Sequence, residues 1–258
     1  TAALEIKNLA IRLPESRTGR LRTVIHDVSL CLEQGESLGL VGSSGCGKTT
    51  CARAALRLLM PTAGSVHVNG TDLAALPRKS LRQFRRHMQM VFQDPHACLN
   101  PRMTVSSIIG EPLVEHLSMT SRERNERVEE LLGLVGLNPE HANRYPHEFS
   151  GGQRQRIGIA RAISLNPDLI VCDEPIAALD VSIQAQVVNL MEELQDLLGL
   201  TYLFISHDLG MIRHIADRVA VMYLGRIMEI GSTATMFNGT NHPYTEALLS
   251  AVPSVDGI

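Results

Sequence analysis

Residues 42–49 read Gly-Ser-Ser-Gly-Cys-Gly-Lys-Thr, which satisfies the pattern G-x-x-x-x-G-K-[ST]. Glycines let such a backbone curl until successive N–H groups converge on an anion, and a helix starting there adds positive potential. Lys48 is then the residue to reach the β- and γ-phosphates of a nucleotide, and the Thr49 hydroxyl is a ligand for Mg²⁺. A second pattern, Leu169-Ile-Val-Cys-Asp173-Glu174, is an apolar run closed by two carboxylates. A strand that delivers Asp173 gives Mg²⁺ its second protein contact. Glu174, directly after it, stands where an acid can polarise an attacking water. Strands often end in acids, so this motif draws its meaning from its partnership with the glycine loop.

A third pattern is Phe149-Ser-Gly-Gly-Gln153, followed by a segment rich in Arg and Gln (Arg154, Gln155, Arg156, Arg161). Small residues at a helix start also offer N–H groups to phosphate. One nucleotide needs only one such loop, so a second points to the nucleotide of another subunit.

The elements that must position these residues are read from periodicity. Ser37–Val41 is expected as a buried strand entering the glycine loop, and a helix from about Thr49 to Leu59, stopped by Pro61, leaves it. Further strands are expected at Ser65–Val68, Met88–Phe92, Leu169–Cys172 and Thr201–Ser206. Arg218–Tyr223 and Arg226–Gly231 read as a hairpin around Leu224-Gly225. From about Asp94 to Leu165 the periods are helical: Thr120 and Glu123 form a capping box, and Val128, Leu131, Leu132 and Val135 then share one face. This alternation predicts an α/β fold with a mainly parallel sheet and a helical insertion.

Composition narrows the function classes. Lys and Arg total 24 against 27 Asp and Glu, a net charge of −3 that argues against a general nucleic-acid binder. The basic cluster Arg78, Lys79, Arg82, Arg85 and Arg86 accordingly reads as a solvated helix face. The chain is 44% hydrophobic and 20% charged, which excludes disordered, collagen-like and coiled-coil classes. Aromatics are only 3%, so the core must come from Leu, Ile, Val and Ala, with the ten scattered methionines as filler. No run approaches the roughly 18 uncharged apolar residues of a membrane-spanning helix. Glu5, Lys7, Arg12 and Glu15 replace any signal-peptide hydrophobic region. Five cysteines, never spaced C-x-x-C, give neither a disulfide framework nor a zinc site, and a reduced cytosolic protein is expected. Cys46 has two readings: a thiol whose pKa is lowered by the helix N-terminus, or, the favoured one, a small side chain whose backbone N–H matters.

Taken in order, these segments resemble the ABC ATPases, whose signature motif is LSGGQ, over essentially the whole chain. The resemblance implies an α/β P-loop NTPase (RecA-like) core, at about residues 1–92 and 158–258, with an antiparallel N-terminal β portion. It implies an inserted α-helical subdomain at about 93–157. It also implies that ATP is held by Gly42, Ser43, Ser44, Gly45, Cys46, Gly47, Lys48, Thr49 and Thr50, and Mg²⁺ by Thr49, Gln93 and Asp173. Gln93 in Val91-Phe-Gln-Asp matches the Q-loop, and Asp180 in Ala178-Leu-Asp matches the D-loop. His207 in Ile205-Ser-His-Asp matches the switch histidine at the γ-phosphate. Catalysis would rest on Glu174, His207, Gln93 and Lys48, while Ser150, Gly151, Gly152 and Gln153 would contact ATP bound to a partner chain. Two departures stand out: Phe149 replaces Leu in the signature, and Leu13 occupies the place of an aromatic that stacks on adenine. The source of adenine packing is therefore open.

Four segments resemble the dipeptide, oligopeptide and nickel importer branch more closely: Ser43–Lys48, Cys98–Arg102, Arg144–Arg156 and His242–Pro253. That resemblance implies an ATP-hydrolysing subunit of an importer for peptides, nickel chelates or a similar solute. It would sit peripherally on the cytoplasmic face of the inner membrane. Its implied partners are integral-membrane permease subunits, docking near Gln93, a second ATP-binding subunit, identical or related, and, indirectly, a solute-binding protein; nucleic acid is not among them. Peptide-branch members often carry a cysteine-rich extension after the last segment, so a chain ending at Ile258 is either a short member or part of a longer one. The competing class, a soluble ABC ATPase acting on nucleic acid or ribosomes, usually brings two cassettes, long coiled coils or zinc modules, which this sequence lacks. A non-hydrolysing scaffold is disfavoured by the intact Lys48, Asp173, Glu174 and His207.

Overall fold

The computed structural model describes residues 1–15, 19–94, 98–239 and 242–250. Two compact units are distinguished: residues 1–76 with the chain from 201 onward, and residues 77–200. This division is a different cut from the lobes that the family resemblance implies.

The first unit opens with two long strands, β1 (Ala2–Pro14) and β2 (Leu21–Glu33), paired antiparallel. Leu4, Ile6, Leu9 and Ile11 of β1 are fully buried. Their spacing slips from even to odd positions because the register shifts between Ile6 and Leu9, where Asn8 adopts φ +49. A bulge of this kind re-aims the following side chains to the same face and hides the alternation from a period-2 reading. β3 (Ser37–Val41) is buried at every residue, as a strand covered on both faces requires. Helix α1 (Lys48–Ala55) follows, and β4 (Ala63–Val68) and β5 (Thr71–Asp72) complete a sheet of order β2-β1-β4-β5. The helix ends before the expected Leu59. Arg57 turns to φ +48 and closes the helix in a Schellman-type cap, its N–H donating to the Ala54 carbonyl at 2.9 Å and that of Leu58 to the Arg53 carbonyl at 2.8 Å, while the Arg57 guanidinium donates to the Leu76 carbonyl at 2.6 Å.

The second unit contains α2 (Arg78–Phe84), β6 (Met88–Val91), α3 (Val105–His116), α4 (Ser121–Leu134), α5 (Gly151–Ile163), β7 (Leu169–Asp173) and α6 (Val181–Leu198). No strand lies between β6 and β7 among the described residues. The Thr120–Glu123 capping box starts α4 as expected, and Val128, Leu131, Leu132 and Val135 are buried. Arg78, Lys79, Arg82 and Arg86 are exposed, and Arg82 bonds Glu115 of α3, which is the solvated face read from the sequence.

The chain then returns to the first unit with β8 (Thr201–Ser206), α7 (Leu209–Ile215), β9 (Arg218–Tyr223), β10 (Arg226–Ser232), α8 (Thr233–Asn238) and α9 (Pro243–Ser250). There β3 lies between β8 and β9, parallel to both, and β10 pairs antiparallel with β9. The start of β3 is fixed by Ser37, whose N–H donates to the Asp217 carboxylate at 2.8 Å while its hydroxyl donates to the Ile215 carbonyl at 2.7 Å. A buried polar side chain needs such partners. Residues 251–253 of the His242–Pro253 motif lie outside the described residues. Among the described residues no helix is long and apolar enough to cross a membrane.

Candidate functional site

In the first unit, β3 and β8 run parallel with Val41 beside Ser206, so the chain leaves both strands at the same edge of the sheet. From β3 it enters Gly42–Gly47, and from β8 it presents His207. Gly42 has φ +153, and a Cβ there would stand 2.1 Å from the Met222 carbonyl oxygen, so only glycine fits. The Gly225 N–H in the β9–β10 turn donates to the Cys46 carbonyl at 2.9 Å and holds the loop from the side. Ser43, Ser44, Gly45 and Thr49 are exposed along the rim, while Cys46, Gly47 and Lys48 are buried beneath.

Lys48 is 6% exposed, and its ammonium donates to the Gly42 carbonyl at 2.7 Å and the Ser43 carbonyl at 3.0 Å. Two of its three donors are thus held by the loop, and the third remains for an anion. Cys46 is almost wholly buried. Burial pushes its thiol up, against the charge of Lys48, which pulls it down. The reading of a lowered, reactive thiol is therefore corrected: desolvation outweighs the cation, and Cys46 serves as a small apolar side chain. His207 is exposed on the turn after β8. Asp208 shapes that turn: its N–H donates to the Ser206 hydroxyl at 2.9 Å, and its carboxylate caps α7 by accepting from Met211 N–H at 3.1 Å. Leu13, at the end of β1, is half-buried.

In the second unit, β6 and β7 are parallel with Val91 beside Cys172. Gln93 therefore follows one strand at about the level where Asp173 and Glu174 close the other. Glu174 has φ +50, the left-handed region that non-glycine residues seldom occupy. The loop it opens is held internally: Ala177 N–H donates to the Glu174 carbonyl at 3.2 Å, and the Gln184 side-chain amide donates to the carbonyls of Ile176 at 3.2 Å and Leu179 at 3.0 Å. Asp180 ends this loop as the N-cap of α6. Neither the backbone of Glu174 nor the Gln184 clamp was legible in the sequence.

The Phe149–Gln153 segment is the start of α5. Phe149 is buried, with its ring edge-on to His141 at 6.0 Å between centroids, so the substitution for Leu supplies an apolar anchor. Ser150 and Gln153 form a reciprocal capping box, with Ser150 Oγ accepting from Gln153 N–H at 3.3 Å and Gln153 Oε1 accepting from Ser150 N–H at 3.0 Å. The box satisfies the first and fourth of the orphan amides of the helix and leaves those of Gly151 and Gly152 without an intrahelical carbonyl. The S-x-x-Q spacing would have disclosed this cap. Gly152 is also packed from below, where a Cβ would stand 2.4 Å from Ile183 Cγ2.

The donors expected for Mg²⁺ are a hydroxyl, an amide oxygen and a carboxylate, on Thr49, Gln93 and Asp173. Such an all-oxygen set suits a hard cation that takes its remaining ligands from water and phosphate. No group of three His, Cys, Asp or Glu side chains that could hold a metal by itself occurs among the described residues.

A buried lysine inside a glycine loop at a strand–helix junction, carried on an α/β core, has the form of a P-loop nucleoside-triphosphatase site. Residues 25–177, more than half of the chain, match the family described as ABC transporter, and residues 228–257 match the "Oligopeptide/dipeptide transporter, C-terminal region". The chain belongs to the ABC transporter ATPase family and is an ATP-hydrolysing member of it. It is 60% identical over 230 residues to the oligopeptide transport ATP-binding protein AppF of Bacillus subtilis (strain 168), covering 89% of this chain and 70% of that one. OppF of the same organism, named likewise, is 56% identical over 255 residues, 98% of this chain and 83% of that one. Among solved structures, the ATP-binding cassette MJ0796 in a dimeric, post-hydrolysis state bound to ADP and Pi superposes with a TM-score of 0.80. It is 28% identical, over 89% of this chain and 98% of that one.

Proposed function

We propose that this chain energises the import of peptides, as one of two ATP-binding subunits attached to integral-membrane permeases at the cytoplasmic face of the membrane. Peptides, rather than nickel chelates, are favoured by the names of the relatives and by the match of residues 228–257. A solute-binding protein would act upstream without touching this chain. The permeases would dock on the helical region following Gln93, residues 93–157, the lobe that the family resemblance delimits.

The observation that carries the site is the buried Lys48 ammonium, fixed on the carbonyls of Gly42 and Ser43 at the start of α1. In this reading the amides of residues 44–50 and the Lys48 ammonium bind the phosphates of ATP. Thr49, Asp173 and Gln93 would hold Mg²⁺, which would neutralise phosphate charge when bound. Glu174 accepts a proton from water as its oxygen bonds to the γ-phosphorus and the bond from that phosphorus to the β–γ bridging oxygen breaks, releasing ADP. His207 donates a hydrogen bond to a γ-phosphate oxygen. Ser150 and the amides of Gly151 and Gly152 face the phosphates of the partner chain's ATP, Gln153 holds their helix start, and Asp180 closes the loop that carries Glu174.

Complementation tests the shared site. Lys48→Ala and Ser150→Arg homodimers should each be inactive, the first lacking the phosphate-binding lysine and the second carrying a blocked signature. Mixing them creates dimers with one intact composite site, so ATPase activity should return on mixing and depend on protein concentration. Mixed dimers that form without recovering activity would count against it. If the natural partner is a related chain, the two changes belong on opposite chains.

A further inference from the structure

Tyr244 lies on α9, inside the C-terminal region that matches the oligopeptide/dipeptide branch, yet its hydroxyl accepts the N–H of Ser43 at 3.1 Å. That amide belongs to the same peptide unit as the Gly42 carbonyl, which accepts from Lys48 Nζ at 2.7 Å. In a planar trans peptide the C=O and N–H point in opposite directions. Tyr244 and Lys48 therefore grip one peptide plane from its two ends, and the plane can rotate only by breaking one of these bonds.

Tyr244 is held by its own ring and backbone N–H, which donates to His242 Nδ1 at 3.1 Å, and by the anchoring of its neighbours. Its ring meets that of Tyr223, at the end of β9, with centroids 4.3 Å apart. The His242 N–H donates to the Glu229 carboxylate on β10 at 3.3 Å, and the neighbouring Thr245 is buried. The tyrosine is thus braced against the sheet and aimed at the loop, although 201 residues separate it from Ser43.

We propose that Tyr244 is a positioning residue for the nucleotide: by holding the Gly42–Ser43 peptide it fixes the carbonyl on which Lys48 rests, so the C-terminal segment sets the affinity of the loop. This rests on the reading of Gly42–Thr49 as the phosphate site. Without the hydroxyl, the peptide regains rotational freedom that must be lost again whenever phosphate binds.

Tyr244→Phe removes the hydroxyl and keeps the ring against Tyr223. MgADP binding to the full chain is measured by calorimetry for the wild type, Tyr244→Phe, Lys48→Ala and Glu246→Gln, an exposed change on the same helix. Tyr244→Phe is expected to weaken MgADP about three- to tenfold, the net worth of one hydrogen bond. In steady-state assays it should raise KM for ATP by the same factor and leave kcat within about twofold, because Tyr244 meets no reacting atom. Glu246→Gln should bind as wild type, and Lys48→Ala should lose binding. Wild-type affinity in Tyr244→Phe beside lost binding in Lys48→Ala overturns the role of Tyr244 and leaves the phosphate site standing. A lowered melting temperature in Tyr244→Phe with unchanged affinity overturns it too, as a structural contact only. Unchanged binding in Lys48→Ala overturns the phosphate-site reading and the proposal with it.

Discussion

Replacing Gly152 by alanine probes how the start of α5 rests on the start of α6. The added Cβ would lie 2.4 Å from Ile183 Cγ2, more than an ångström inside ordinary carbon–carbon contact. Ile183 cannot simply swing aside, because a β-branched side chain in a helix keeps one strongly preferred χ1. Relief must come from separating the two helix starts, an overpacking cost of about 1–3 kcal/mol. Alanine's better helix propensity returns at most about 0.5–1 kcal/mol, and less in a first turn. A net loss of about 1–2 kcal/mol is therefore expected for Gly152→Ala. Ile183→Ala removes the opposing methyl and, at a half-buried position, should itself cost about 1–2 kcal/mol. In the double variant the new Cβ fills the vacated space, so the combined loss should fall short of the sum by at least about 1 kcal/mol. Urea unfolding of the four proteins, compared at constant m, measures that coupling. Losses that add within about 0.5 kcal/mol, or a Gly152→Ala chain more stable than wild type, would refute the packing argument.

Glu174→Gln should keep MgADP affinity and lower ATP turnover by roughly 10²–10⁴-fold, the usual size of a general-base contribution; near-wild-type phosphate release would sink the assignment. All three thiols are shifted upward, so burial alone should make Cys46 react with a bulky maleimide more slowly than the half-buried Cys31 and Cys98. Since only the thiolate reacts, labelling of Cys46 should climb about tenfold per pH unit from neutrality until its raised pKa is reached. Mass-mapped modification at pH 7 that reaches Cys46 first would contradict this.

The placement of the candidate site residues was legible because each motif couples a spacing to a strand end. Ser37–Val41, Leu169–Cys172 and Thr201–Ser206 are buried, largely apolar runs, and a candidate site residue follows where each run stops. What the sequence hid depends on partners distant in the chain. α1 is closed at Arg57, an arginine where a left-handed cap usually has glycine, and no local rule announces that its guanidinium reaches Leu76. The β1–β2 strands lose their alternation at a bulge, so their antiparallel portion was expected from family resemblance alone. Tyr244 sits in a motif quoted for its branch resemblance, but nothing in that motif says that its hydroxyl meets Ser43. For Cys46 it is the less favoured reading, the lowered thiol, that fails, because helix-terminus potential is visible in sequence and desolvation is not.

Glu174 shows how the local and distant terms combine. A non-glycine residue at φ +50 costs about 1–2 kcal/mol of backbone energy and persists only where its surroundings over-determine it. Here the surroundings can be named. β7 is buried up to Cys172, so the strand cannot slide. Beyond Glu174 the chain is held by Ala177 on the Glu174 carbonyl and by Gln184 on the carbonyls of Ile176 and Leu179. Gln184 belongs to the first turn of α6, the same turn in which Ile183 lies under Gly152. The left-handed bend thus turns the chain sharply immediately after the carboxylate that ends the strand. The helix start that stabilises this bend also carries the packing contact of the signature. Strain at the acid and close packing at the glycine are therefore linked through one helical turn, which is why Gly152→Ala should slow hydrolysis as well as loosen the unit, although residue 152 is no part of the loop that bears the acid.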